Sequence, residues 1–234
     1  MNEALSVGIG VVHEDKIDEI NILNATILSM KRAVEDLDMS PDILLVDGNS
    51  KNISTIQQES IIKGDSKSQS IAAASIVAKV TRDRMMKEYD KVFPDYGLAK
   101  NMGYGTKEHI SALKAMFSTP IHRQSFNPVE DCMPSMKDID DISRLSIKLA
   151  ASKIIKSGHS ILDINYNDSY IMSLFNNNFH CFVLNDKAQN IEYESISSLK
   201  DLLSEKDTTH SINISVISVQ FSKDKPKVIF KKYD

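Results

Sequence analysis

The sequence predicts an α/β protein, because short apolar, strand-like runs alternate with helical periods along its 234 residues. Its hydrophobic content of 41% is enough for a packed core. A change of texture divides the chain: an acidic stretch containing Pro and Met at 130–141 reads as a linker between a domain at 1–129 and a smaller α/β domain at 142–234. Charge is uneven as well. Residues 1–50 hold 3 Lys/Arg against 10 Asp/Glu, residues 51–126 hold 12 against 7, and residues 127–234 hold 13 against 15. The basic middle is suited to phosphate contact, although a solvated helix face gives a similar count.

The elements follow in order. Residues 5–12 (LSVGIGVV) are short and rich in β-branched residues, which predicts a strand. Apolar residues then recur close to the 3.6-residue period at Ile17, Ile20, Leu23, Ile27, Leu28, Val34 and Leu37, predicting a helix over 17–37 with Asp18 and Glu19 at its positive end. Residues 43–46 (ILLV) form a buried-strand pattern that runs into Asp47-Gly48-Asn49. A second strand at 60–62 ends at Lys63-Gly64-Asp65, and the serines that follow cap a helix beginning near Ser70. Its run of small residues at 72–78 suits close packing on a sheet, and 82–89 continue it with a charged face. Pro94 ends that helix, a Gly- and Tyr-rich loop occupies 96–104, and another helix spans 108–117. The C-terminal domain reads as a helix at 142–156, strands at 160–164, 170–175 and 180–184, a helix at 197–205, and strands at 212–221 and 227–232.

No run of about 18 apolar residues is present, and acids stand near the N-terminus where a signal peptide carries bases, so the expected location is the cytoplasm. Cys132 and Cys181 are far apart and lack metal-ligand spacing, and are expected to be free thiols.

Asp47 and Asp65 each follow an apolar strand, Asp65 directly after a glycine. Carboxylates at neighbouring strand ends suit a hard divalent cation, which takes a few oxygen ligands and completes its shell with water and substrate phosphate. Asp-Gly is also a common turn signal, but the residues after Asn49 do not return as an alternating strand.

Longer strings narrow the choice. These are Lys16-Ile17-Asp18-Glu19-Ile20-Asn21-Ile22-Leu23-Asn24-Ala25-Thr26, Leu45-Val46-Asp47-Gly48-Asn49, Lys63-Gly64-Asp65-Ser66 and the stretch from Ile71 to Asp83 (IAAASIVAKVTRD). They continue with Phe93-Pro94-Asp95-Tyr96-Gly97, Gly103-Tyr104-Gly105-Thr106 with His109, and His122-Arg123-Gln124-Ser125-Phe126. In order and spacing this half of the chain resembles bacterial ribonuclease HII, the type 2 ribonuclease H. The resemblance implies an endonuclease that cuts the RNA strand of RNA–DNA hybrids and duplex DNA at embedded ribonucleotides, with Mn²⁺ or Mg²⁺ as cofactor. It also implies that Asp47 and Asp65 are the third and fourth of four metal-site carboxylates. Tyr104 matches a tyrosine that packs on the sugar at the RNA–DNA junction. Lys63, Lys79, Arg82, Arg84 and Arg123 are candidate phosphate contacts, and Ser125 joins them as a substrate-binding candidate. Asp83 is expected to pair with basic neighbours on its helix, and His109 and His122 have no evident role as bases.

The family also carries an Asp-Glu-Ala-Gly-Arg-Gly strand and a second strand, which this sequence lacks. The expected fold is therefore an incomplete ribonuclease H-like domain, with 5–12 as its third strand and 43–46 as its fourth, and cleavage is expected to be impaired. The alternative is a non-catalytic nucleic-acid-binding or interaction protein. Beyond the linker, residues 150–166 (AASKIIKSGHSILDINY) resemble the start of the YraN-like family, which has a restriction-nuclease-like fold. Where that family carries acidic strings this chain has Tyr170-Ile171-Met172-Ser173 and Asn185-Asp186-Lys187, so Lys187 alone matches and a binding or structural role is expected of this half. No membrane is expected among the partners.

Overall fold

A computed structural model describes residues 4–50, 53–184, 212–220 and 227–232. It is mixed α/β, as the sequence predicts, and its contacts form two compact units: Met1–Arg84 with Phe117–Met133, and Met85–Met116 with Pro134–Asp234. The division by composition at 129 and 142 differs from these units because residues 85–116 join the C-terminal elements. Glu88 accepts a hydrogen bond from the Ile161 N–H at 2.7 Å, and Lys91 Nζ donates to the Ile161 carbonyl at 2.6 Å.

The first unit contains helix α1 (Glu14–Glu35), parallel strands β1 (Ile43–Asp47) and β2 (Gln57–Ile61), and most of helix α2 (Gln69–Val92). One face of β1 supplies Leu44 and Val46 to a core with Ile53, and Ile27, Met30 and Val34 of α1 pack against it. The sequence period read as one helix crosses a break at Asn21 (φ 65°, ψ 168°). There the Asn21 side chain accepts the Asn24 N–H at 3.1 Å, so it caps a second helical segment.

The strand expected at 5–12 does not form. Its backbone bonds to side chains: the Ile9 N–H donates to Asp36 at 2.8 Å and the Val11 carbonyl accepts from Arg32 at 2.6 Å. The two glycines of this segment lie directly against α1. A Cβ on Gly8 would stand 2.0 Å from the Ala33 carbonyl oxygen, and one on Gly10 would stand 1.8 Å from that of Ser29. The small-residue run of α2 also departs from expectation, since residues 73–76 are exposed instead of packed on a sheet. In the two-stranded sheet β1–β2, α1 covers one face of β1, and Ile43 and Leu45 on its other face remain exposed.

The second unit begins with the end of α2. A turn at Pro94–Tyr96, the short helix α3 (Leu98–Asn101) and helix α4 (Lys107–Met116) follow, so part of the expected loop at 96–104 is helical. Helix α5 (Ile142–Lys156), capped by Asp141, buries Ile147, Ala150, Ala151, Ile154 and Ile155. A five-stranded mixed sheet runs β3 (Ser160–Asn165), β4 (Tyr170–Phe175), β5 (Asn178–Leu184), β6 (Ile212–Gln220) and β7 (Lys227–Lys232), in that spatial order. Only the β5–β6 pair is parallel. The helix expected at 197–205 and Lys187 lie outside the described residues. Cys132 and Cys181 are free and buried, and burial pushes the Cys181 thiol up to about 12. Among the described residues no helix is long and apolar enough to cross a membrane.

Candidate active site

Parallel strands β1 and β2 end side by side, with Asp47 in register with Ile61 and the Gly48 N–H donating to the Ile61 carbonyl at 2.9 Å. The carboxyl ends of parallel strands are where open α/β sheets place their ligand sites, because the loops leaving them diverge there. Asp47 is exposed at this edge. Its Oδ1 accepts the Gly64 N–H at 2.7 Å, which ties the end of β1 to the turn that carries Asp65.

That turn is tightly made. Lys63 adopts the left-handed conformation (φ 55°, ψ 46°), and Gly64–Ser66 form a single 3-10 turn before the first turn of α2, where the Ala72 N–H donates to the Ser68 carbonyl at 3.0 Å. Gly64 is buried, and a Cβ there would stand 2.6 Å from Ile71 Cδ1 and 3.3 Å from Asp47 Oδ1. The glycine is thus what lets the turn approach both the core and the carboxylate. Asp65 and Lys63 are exposed beside it. Asp47 keeps its second oxygen and a lone pair of the first, and Asp65 is held two residues from a strained position, an arrangement that costs about 1–3 kcal/mol and is typical of sites that bind. Among the described residues, no group of three or more His, Cys, Asp or Glu is placed to hold a metal ion. A pair of carboxylates still fits the way Mg²⁺ is held, through one or two carboxylates with water and substrate phosphate.

The other candidates fall into separate places. Lys79 on α2 pairs with Asp83 at 2.9 Å, so the acid is engaged as expected and the lysine's charge is partly offset. Arg123 lies with its guanidinium carbon 3.7 Å from the centroid of the Phe126 ring. Burial pushes its pKa down from the ordinary value and the charge of Arg82 adds to this, while Asp18 opposes it. Ser125 donates its hydroxyl to Asp18 at 2.6 Å. Tyr104, in the second unit, is 64% exposed, and its loop is anchored by the Asn101 carbonyl and by the buried His109, whose Nδ1 is 3.0 Å from the Tyr104 carbonyl oxygen. His122 is buried with Thr119, and its Nδ1 accepts the Thr119 N–H at 3.1 Å. Through these contacts both histidines hold loop backbone.

In the sequence Asp18 shows only as a charge at the start of a helix. In the structure it accepts from Gln124 N, Ser125 N and Ser125 Oγ at 2.8, 3.0 and 2.6 Å. More than 100 residues separate the partners, so no local pattern could have revealed the contact.

The family model described as Ribonuclease HII matches residues 2–129. A protein named Ribonuclease HII from Listeria innocua serovar 6a (strain ATCC BAA-680 / CLIP 11262) is 52% identical over 129 residues, covering 55% of this chain and 49% of the relative. The chain spans about half the length of the curated relative it matches. The matched residues include β1, β2 and the turn that carries Asp65 and is hydrogen-bonded to Asp47, and since they make up more than half of the sequence, the chain belongs to the ribonuclease HII family.

Proposed function

We propose that this chain acts as a ribonuclease HII-type endonuclease on RNA–DNA hybrids and on duplex DNA with embedded ribonucleotides, using Mn²⁺ or Mg²⁺. The observation that carries this reading is the hydrogen bond from Gly64 to Asp47, which brings the Lys63–Asp65 turn to the end of β1. Asp47 and Asp65 are the residues that would hold the metal. When bound, such a cation supplies charge stabilisation to the phosphodiester and lowers the pKa of a water. The residues proposed to contact nucleic acid are Lys63, Lys79 and Arg123, by their charges at phosphates, Ser125, by its hydroxyl oxygen, and Tyr104, by its exposed aromatic side chain against a nucleotide.

The C-terminal half, in this proposal, is a YraN-like shell that binds or supports rather than cuts. Its support is the pattern of one helix, α5, preceding a mixed five-stranded sheet. The cytoplasm is the proposed location.

The test is to incubate the full chain with Mn²⁺ and a labelled duplex containing one ribonucleotide. Nicking at the ribonucleotide that disappears in Asp47→Asn is the expected result. Binding of the duplex without any nicking assigns the chain instead to non-catalytic nucleic-acid binding.

A further inference from the structure

The turn at Arg123–Phe126 is an unusual place for a reliable phosphate contact, because it is irregular backbone and a loop arginine loses much side-chain freedom when it binds. Here the turn is fixed from outside. The Phe126 N–H donates to the Arg123 carbonyl at 3.2 Å, and the two central N–H groups, of Gln124 and Ser125, both point at the Asp18 carboxylate on α1. The Ser125 hydroxyl adds a third bond to the same group. With the turn held, the Arg123 guanidinium lies over Phe126, where it feels the positive charge of Arg82 from α2. Two like charges brought near each other are costly unless an anion is to bind between or beside them. The Asp18 carboxylate acts on the Arg123 charge in the opposite sense.

We propose that Asp18 is a positioning residue that clamps the Arg123–Phe126 turn so that Arg123 is presented, beside Arg82, to a phosphate of the bound nucleic acid. This rests on the nucleic-acid reading given above. The proposal has a sign that simple electrostatics lacks. Removing an acid beside two arginines strengthens anion binding by charge alone, whereas removing a clamp weakens it.

The experiment measures the affinity of the full chain for a labelled RNA–DNA hybrid duplex as a function of salt, for wild type, Asp18→Ala, Arg123→Ala and the double variant. Each single variant is expected to bind roughly eightfold more weakly at about 0.1 M salt and to lower the slope of log K against log salt by about 1, the signature of one lost phosphate contact. The double variant is expected to match the single ones, because both act on the same contact. Glu19→Ala removes a neighbouring acid of α1 that pairs with Lys16 at 2.8 Å, and it is expected to bind within about twofold of wild type, while Asp18→Asn, which keeps an acceptor oxygen and is milder on the fold, is expected to fall between wild type and Asp18→Ala. Tighter binding by Asp18→Ala, an unchanged salt slope with only a lower melting temperature, or additive losses in the double variant would each overturn the proposal and leave the nucleic-acid reading intact. Absence of any binding by wild type would remove that reading, and this inference with it.

Discussion

Replacing Gly10 with alanine should dislodge the segment at 5–12 from α1. The new Cβ would stand 1.8 Å from the Ser29 carbonyl oxygen and 2.6 Å from the Ala33 N, and both are helix backbone that cannot swing aside. To reach an ordinary contact the segment must lift by roughly 1.5 Å, enough to break hydrogen bonds whose strength falls steeply with distance. Three such bonds are at stake: Ile9 N–H to Asp36 at 2.8 Å, Arg32 to the Val11 carbonyl at 2.6 Å, and Asp38 N–H to Ser6 at 2.9 Å. Two involve a charged partner, and all are near solvent, so their combined loss is about 2–4 kcal/mol. With a urea m-value of about 2 kcal/mol/M, the unfolding midpoint should fall by about 1–2 M. Amide hydrogen exchange should show faster exchange at Ile9 and Asp38. Gly105→Ala is the control, because its nearest atom would be Ile110 Cδ1 at 3.8 Å, and its effect should stay within about 0.5 kcal/mol. A Gly10→Ala protein as stable as that control, with Ile9 and Asp38 amides still protected, would refute the reasoning.

Further predictions concern the site and the second unit. Gly64→Ala must displace Ile71, which is 5% exposed, and crowd Asp47 Oδ1, so it should cost about 1–3 kcal/mol in urea unfolding and weaken Mn²⁺ binding measured by calorimetry. The His159 pKa is lowered to about 4, first by burial and then by the neighbouring His180. The unfolded chain therefore takes up a proton near pH 6.5 that the folded chain refuses, so stability should fall as pH drops from about 6.5 to about 4 and then level off. Urea titrations across that range should show a smaller loss in His159→Phe. The Cys181 thiol, fully buried and held up to about 12, should not react with a thiol reagent until the protein is unfolded, and rapid labelling of the native chain at that position would contradict its placement.

How far the sequence could be read depended on the range of the interaction that shapes each element. Helix α5, β4 and β7 have the limits their patterns predict; α5 is bounded locally by the Asp141 cap and the Ser157-Gly158 end, and β4 by turns at its two ends. The apolar pattern places β2 late and short because Gln57, Gln58 and Glu59 carry no apolar alternation, and its place comes from pairing with Ile43–Asp47. The apolar pattern at 5–12 predicted a strand, but a strand exists only with a partner. Its glycines serve instead to bring backbone against α1. Asn21 broke a period that the apolar residues alone continue, since a polar side chain able to cap its own backbone is invisible to a hydrophobic pattern. At the candidate site, Asp47 and Asp65 were legible because each closes a strand-like run followed by turn residues. Asp18 was not, because its partners lie at the far end of the matched region.

In the proposed reading, Asp47 and the turn bearing Asp65 form a metal-dependent site for nucleic acid with RNA–DNA character. It is tested most directly by the rate of nicking of a duplex with a single ribonucleotide as Mn²⁺ is titrated into the full chain. Nicking confined to the ribonucleotide, rising with Mn²⁺ and absent in both Asp47→Asn and Asp65→Asn, is the expected result. Nicking that persists in either variant, or that proceeds equally without added metal in the presence of a chelator, would contradict it.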